Sequence, residues 1–183
     1  SGEEIAANFE YSDELYTSFK RFLSPPLHLI ENGKNIQYSR RQIEIIHSQN
    51  RQQRIKGVVG SGKTTILAAR AVEAYKRTKG KILILTYNIT LKNYIHDKIS
   101  QVRAEFPWEN FIILNYHTFI NNELNNLGVD VSVPEKFNEL SLEQKEKYFE
   151  SNYYSNKQLF AENAEKIIQY DAIFIDEIQD YKR

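Results

Sequence analysis

The chain has 183 residues, 41% of them hydrophobic and 26% charged, with 24 basic and 24 acidic side chains and no cysteine. This length suits one domain with a real core and room for a small insertion, and no apolar run approaches a membrane span. The lack of cysteine excludes disulfides and thiolate metal sites and makes a cytoplasmic protein the expectation. Residues 1–39 carry 3 basic and 6 acidic side chains, residues 40–103 carry 14 and 3, and residues 104–183 carry 7 and 15. The basic middle has the composition of a surface that meets polyanions; the alternative is basic side chains that merely solvate helices.

Between Glu3 and Phe22, the spacing of Ile5, Phe9, Leu15, Tyr16, Phe19 and Phe22 reads as one or two amphipathic helices. Residues 1–38 are therefore expected to form an N-terminal helical extension. Ser24-Pro25-Pro26 punctuates it, and Glu31-Asn32-Gly33-Lys34 reads as a turn. Ser39 is placed to cap a helix from Arg40 to about Asn50, with Ile43 and Ile46 facing inward.

Arg54-Ile55-Lys56-Gly57-Val58-Val59 reads as a short strand. From Gly57 the chain then runs Gly57-Val58-Val59-Gly60-Ser61-Gly62-Lys63-Thr64, which fits G-x-x-x-x-G-K-[ST], and a helix follows to about Thr78, stopped by Gly80. In that setting glycines let backbone N–H groups wrap a phosphate, and the helix N-terminus adds its dipole. Lys63 would reach the β- and γ-phosphates and the Thr64 hydroxyl would hold Mg²⁺. Gly57, Gly60, Ser61, Gly62, Lys63, Thr64 and Thr65 are the candidate nucleotide-binding residues.

Lys81 to Tyr87 is an apolar run of strand length, as in a strand buried on both faces. Asn88 can cap a helix through Leu91, Tyr94, Ile95 and Ile99 to about Phe106, ended by Pro107. Phe111 to Tyr116 is another buried strand, followed by a short helix from His117 to Leu127. Residues 128–140 are loop-like, and 141–169 read as two exposed, Glu/Lys-rich helices broken near Asn156, so about 120–169 is expected as a small helical insertion. Ala172 to Ile175 is a last buried strand ending in Asp176-Glu177. Apolar strands alternating with helices predict an α/β fold, a mostly parallel sheet with helices on both faces and ligands beyond the carboxyl ends of its strands. At that edge Asp176 can hold Mg²⁺ and Glu177 can polarise an attacking water; a merely solvated strand end is the alternative.

Asp176-Glu177-Ile178-Gln179-Asp180 resembles the D-E-x-Q-D signature of the UvrD/Rep-like superfamily 1 DNA helicases, and the motifs from Gln42 to Asp180 stand in that family's order. The resemblance implies a RecA-like P-loop NTPase three-layer sandwich that binds ATP and Mg²⁺ and moves on single-stranded DNA, or on RNA. By the same resemblance Gln42 reads the adenine edge, a task for which a carboxamide has the right donor and acceptor, and Gln179 senses the γ-phosphate. Thr86-Tyr87-Asn88 and Tyr116-His117-Thr118 are similar to the family's DNA-contacting segments, where aromatic rings grip unpaired bases. Core or structural roles for Tyr87 and His117 are the alternatives.

The resemblance also implies a second RecA-like lobe as partner, carrying an arginine finger. With no methionine and a stop at Arg183, just past the second motif, the chain is expected to be the N-terminal lobe (39–183, after the extension) of a longer protein. The reading is thus an ATP-binding lobe of a translocase or helicase, with Lys63, Glu177 and Gln179 as catalytic residues. A nucleotide-gated nucleic-acid-binding or regulatory module without turnover is the second reading. A small-acceptor phosphotransferase is the third, disfavoured by the Asp-Glu pair.

Overall fold

The computed structural model describes residues 19, 23, 26–47, 51–58, 60–129, 132–155 and 157–176. In chain order its elements are β1 (Leu27–His28), α1 (Arg40–Ile46), α2 (Lys63–Thr78), β2 (Ile82–Thr86), α3 (Ile89–Ser100) and β3 (Phe106–Pro107). There follow β4 (Phe111–Asn115), α4 (Tyr116–Asn126), α5 (Leu142–Phe149), α6 (Lys157–Glu162) and β5 (Ala172–Ile175). No helix among the described residues is long and apolar enough to cross a membrane.

The central sheet has three parallel strands in the order β4-β2-β5. Its register pairs Ile82 with Phe111 and Ala172, and Leu85 with Leu114 and Ile175, so the three strands end at one common edge. The pleat sends Ile82 and Ile84 of β2, Phe111 and Ile113 of β4, and Ala172 and Phe174 of β5 to one face, where α2 and α3 cover them. Helix α2 can lie close to the sheet because Ala68, Ala71 and Ala74 are fully buried beneath it. Each large side chain buried here contributes roughly 1.5–3 kcal/mol. The opposite face carries Leu83 and Leu85, both buried, and is covered by α4 mainly over β4 and β2. At β5 that face is bare: Ile173 is 57% and Ile175 42% exposed.

This architecture corrects several expectations. Among the described residues a RecA-like three-layer sandwich does not form: their sheets are a two-stranded antiparallel pair, β1 with β3, and one parallel sheet of three strands, too small for that fold. The strand expected at 54–59 is irregular backbone over its described residues, 54–58. A strand persists only with a ladder partner, and none lies beside this segment among the described residues; Val58 is 79% exposed. The carbonyls of Gly57 and Val58 instead accept the Lys63 ammonium, both at 3.2 Å.

Helix α3 ends at Ser100, short of Phe106, because residues 106–107 are drawn into the pairing with β1. Helix α1 turns Ile46 inward but leaves Ile43 45% exposed. Helix α2 is closed by Lys79 in the left-handed region (φ 57°), its N–H on Tyr75 O at 2.7 Å, rather than by Gly80. Strand β5 is not buried on both faces. The extension helices expected before residue 23 fall almost wholly outside the described residues.

The N-terminal segment is held against the core through close backbone contact. Lys34 N–H donates to Gln101 O at 2.9 Å, and a Cβ on Gly33 would lie 2.5 Å from Arg103 Cα and 2.6 Å from Val102 O. Beside it, His28 stacks on Phe106 with centroids 4.5 Å apart, and its Nε2 lies 3.1 Å from Val102 O. Buried Arg70 of α2 donates from one guanidinium nitrogen to Ile45 O and to His47 O, closing the C-terminal end of α1. One cation of the basic middle segment is therefore structural, and burial, with Arg51 and Arg77 nearby, pulls its pKa below the usual arginine value.

Candidate functional site

Lys63 opens α2, and the loop before it is built from glycines for identifiable reasons. Gly60 and Gly62 have φ of 80° and 81°, a region costly for side-chain-bearing residues. Gly57 lies close to the side chain of Ser61, where a Cβ would stand 2.7 Å from Oγ and turn that hydroxyl aside. Ser61 N–H donates to Val58 O at 3.2 Å, which curls the loop, and the first helical bond is Ile66 N–H to Gly62 O at 2.9 Å. The backbone N–H groups of Lys63, Thr64 and Thr65 thus have no acceptor within the helix, and they sit at the positive end of its dipole. The Lys63 ammonium, folded back on the loop carbonyls, lies beside them.

Thr64 and Asp176, 112 positions apart in sequence, meet at this point: Thr64 Oγ1 donates to Asp176 Oδ2 at 3.4 Å. Asp176 follows β5 directly, is 6% exposed, and its N–H donates to Leu85 O at 2.9 Å, which fixes the backbone beneath the carboxylate. A hydroxyl and a carboxylate are hard oxygen donors, and Mg²⁺ is ordinarily held by one or two such protein groups, with phosphates and water completing its shell. The donor set therefore fits Mg²⁺ bound together with a polyphosphate. It does not fit an all-protein cation site: no group of three His, Cys, Asp or Glu exists among the described residues.

Gln42, in α1, comes close to the same loop. Its Oε1 accepts from Ser39 N–H at 2.8 Å while Ser39 Oγ accepts from Gln42 N–H at 3.3 Å, a reciprocal cap. Its Nε2 lies 3.6 Å from where a Cβ on Gly62 would be. Glu177 and Gln179 lie outside the described residues.

The other candidates line the same edge of the sheet. Asn88 caps α3, accepting from Thr90 N–H at 3.0 Å, and Asn115 caps α4, accepting from His117 N–H at 2.9 Å. Asn115 Nδ2 also donates to Tyr87 O at 2.5 Å, which ties the two turns together. Tyr87 and His117 face each other at 6.1 Å between centroids, and Tyr116 and His117 at 5.4 Å. Thr86 is fully buried with its hydroxyl on Asn88 O at 2.9 Å, a supporting position; Thr118 is exposed.

Two aromatics that the sequence reading passed over join this group. Tyr154 lies 5.6 Å from His117 and 5.9 Å from Tyr116, and Phe149 stacks on Tyr154 at 5.8 Å with 16° between planes. Phe149 ends α5, and Tyr154 ends the π-helical stretch Glu150–Tyr154 that continues it. The density of rings in Tyr148-Phe149 and Tyr153-Tyr154 was the available signal, outweighed in the reading by the Glu/Lys content around it. Burial, then the neighbouring Glu150 charge, raises the Tyr116 pKa; burial also raises that of Tyr154, against the Asn121 hydrogen bond. Both phenols stay neutral donors at neutral pH.

The Gly57–Thr64 loop, the Thr64–Asp176 pair, the two capped turns and the aromatic row therefore share one edge of the parallel sheet. No family model matches the chain, nor does any curated protein or solved structure.

Proposed function

We propose that the chain binds Mg·ATP at the Gly57–Thr64 loop and serves as the ATP-binding lobe of an ATP-dependent single-stranded-DNA translocase or helicase of the UvrD/Rep-like kind. The observation that carries the reading is the meeting of Thr64 Oγ1 with Asp176 Oδ2 at the N-terminus of α2. Two segments that each match half of a nucleotide hydrolase in sequence converge on one point in space. The reading rests on this site and not on a RecA-like sandwich.

In it, the N–H groups opening α2 and the Lys63 ammonium bind the phosphates. Thr64 and Asp176 would hold Mg²⁺, which would neutralise phosphate charge. Lys63 must leave Gly57 O and Val58 O to engage a phosphate, so its contacts differ between the free and bound states. Gln42, already oriented by Ser39, presents its amide nitrogen toward the loop for the base. Glu177 and Gln179 keep the roles their motif implies, and the row Tyr87, His117, Tyr116, Tyr154 offers ring faces to unpaired bases.

The test is calorimetric titration with a non-hydrolysable ATP analogue, with and without Mg²⁺. Wild type is expected to bind, Lys63→Ala to lose affinity by at least about tenfold, and Asp176→Asn to lose the Mg²⁺ dependence of binding. Equal binding by wild type and Lys63→Ala, or Mg²⁺ dependence unchanged in Asp176→Asn, overturns the nucleotide assignment. Nucleotide-dependent binding of oligo-dT with no turnover in the presence of a second lobe would replace the motor with a nucleotide-gated binding module.

A further inference from the structure

Helix α1 and the segment that follows it form a second, smaller packing unit against α2. Ile46, Ile66 and Ala69 are its buried centre, and Tyr38, Ile45, Ile55 and Val102 close around them. With Ile45, Ile46 and Ile55 turned inward, the basic residues near them in sequence are left outside: Arg41, Arg51, Arg54 and Lys56 are all exposed. Residues 39–57 hold five lysines and arginines against one acid, Glu44, and Arg40 already pairs with that carboxylate at 3.7 Å.

None of the other four side chains makes an ion pair or hydrogen bond within the described residues. More positive charge stands close by, since the pKa of Arg70, beneath the end of α1, is lowered by burial and then by Arg51 and Arg77. Like charges gathered in this way repel one another, and a polyanion that neutralises them gains further by releasing its own counterions. Gln52 and Gln53, exposed between Arg51 and Arg54, add neutral donors. The backbone from Arg51 to Lys56 is irregular and can span up to roughly 17 Å. A duplex strand carries one phosphate per about 3.4 Å of axis, so the row can meet several of them. Residues 39–58 include no Phe, Tyr or Trp, and so offer no ring on which an unpaired base could stack. The rings of Tyr116, His117 and Tyr154 belong to the layer of α4, across the sheet from α2.

We propose that the exposed side of α1 and residues 51–56 is a docking surface for the phosphate backbone of double-helical nucleic acid, separate from the ring row offered to single strands. Its arginines, planar forks of N–H donors, would grip phosphate oxygens without reading bases. No residue of the Gly57–Thr64 loop takes part, so the surface stands or falls independently of nucleotide binding.

The experiment is fluorescence anisotropy of the 183-residue chain with a DNA duplex of about 20 base pairs and with oligo-dT, without nucleotide, over a series of salt concentrations. Wild type is expected to bind the duplex with an affinity that falls steeply as salt rises. Arg51→Gln/Arg54→Gln/Lys56→Gln should weaken duplex binding at least about tenfold at low salt and flatten the log–log salt slope by roughly 2–3, because each lost phosphate contact removes about 0.9. Its affinity for oligo-dT should stay near that of wild type. The same loss of charge elsewhere, in Lys136→Gln/Lys147→Gln/Lys166→Gln, should leave duplex binding nearly unchanged, which separates this surface from net charge. All six side chains are exposed, so melting temperatures should match wild type; should the first variant not fold, Arg54→Glu alone gives the same comparison. Equal loss in both triple variants, equal loss for duplex and oligo-dT in the first, or salt-insensitive duplex binding by wild type overturns the proposal. Poly-L-glutamate bound as tightly as the duplex at matched charge also overturns it, and would assign the surface to an acidic protein.

Discussion

At Gly33, residue and environment are matched by distance and not by dihedral angle. Its φ of −80° would suit any amino acid, but a Cβ would meet the backbone of Val102 and Arg103, which cannot swing aside as a side-chain tip can. Gly33→Ala should therefore destabilise the chain by roughly 1–3 kcal/mol, as overpacking does, measured by denaturant unfolding. His28 makes a different prediction. It is buried against Phe106, and burial lowers its pKa below 6.5, partly opposed by the Val102 hydrogen bond. The unfolded chain then takes up the proton first as pH falls, so the contribution of His28 to stability is full above 6.5 and lost as pH drops through the lower folded value. Between about pH 7 and 5 the melting temperature of wild type should fall more than that of His28→Gln.

At the scale of elements, the strand-to-helix turns at Asn88 and Asn115 are almost free of connecting residues. In each the strand ends, one asparagine caps, and the helix starts. Asn115 does more than cap, since its amide nitrogen holds Tyr87 O. Asn115→Ala should cost roughly 1–2 kcal/mol in thermal unfolding, more than the same change at Asn88, which leaves no second turn unsupported. Such local devices were legible in the sequence: Ser39 and Asn88 as caps, the apolar runs of β2, β4 and β5, and the glycine loop all announce themselves within a few residues. What depends on a distant neighbour was not. Residues 106–107 became a strand because residues 27–28 lie alongside, residues 54–58 did not because no ladder reaches them among the described residues, and Arg70 reads as a surface cation until α1 is seen ending on it.

Across the whole molecule, chemistry is divided between two ends of one sheet. The carboxyl edge holds the Gly57–Thr64 loop, Asp176 and the ring cluster; Lys81, at the start of β2, lines a cavity toward the other end. Much of the first group was legible because a parallel sheet sends every strand end to the same side. Tyr154 and Phe149 were not, since only folding brings the end of α5 and the stretch after it back to His117. Their position gives a prediction at this scale. Tyr154→Ala should weaken oligo-dT binding by roughly 1–3 kcal/mol in fluorescence anisotropy at fixed salt while leaving nucleotide affinity intact. A parallel loss of both would mean that the ring supports the fold and not the nucleic acid.

The bare face of β5 has a further consequence. This strand pairs only with β2 among the described residues, shows Ile173 and Ile175 to solvent, and carries Asp176 at its end. An edge strand with so little cover belongs to the part of a protein that opens first, so its amides should exchange with deuterium sooner than those of β2, which has a neighbour on each side. The carboxylate proposed to hold the metal thus rides on the sheet's least protected strand. Bridging it to Thr64 through a bound nucleotide would clamp that strand to the start of α2, and occupancy of the site could be read as slowed exchange several residues upstream of the chemistry.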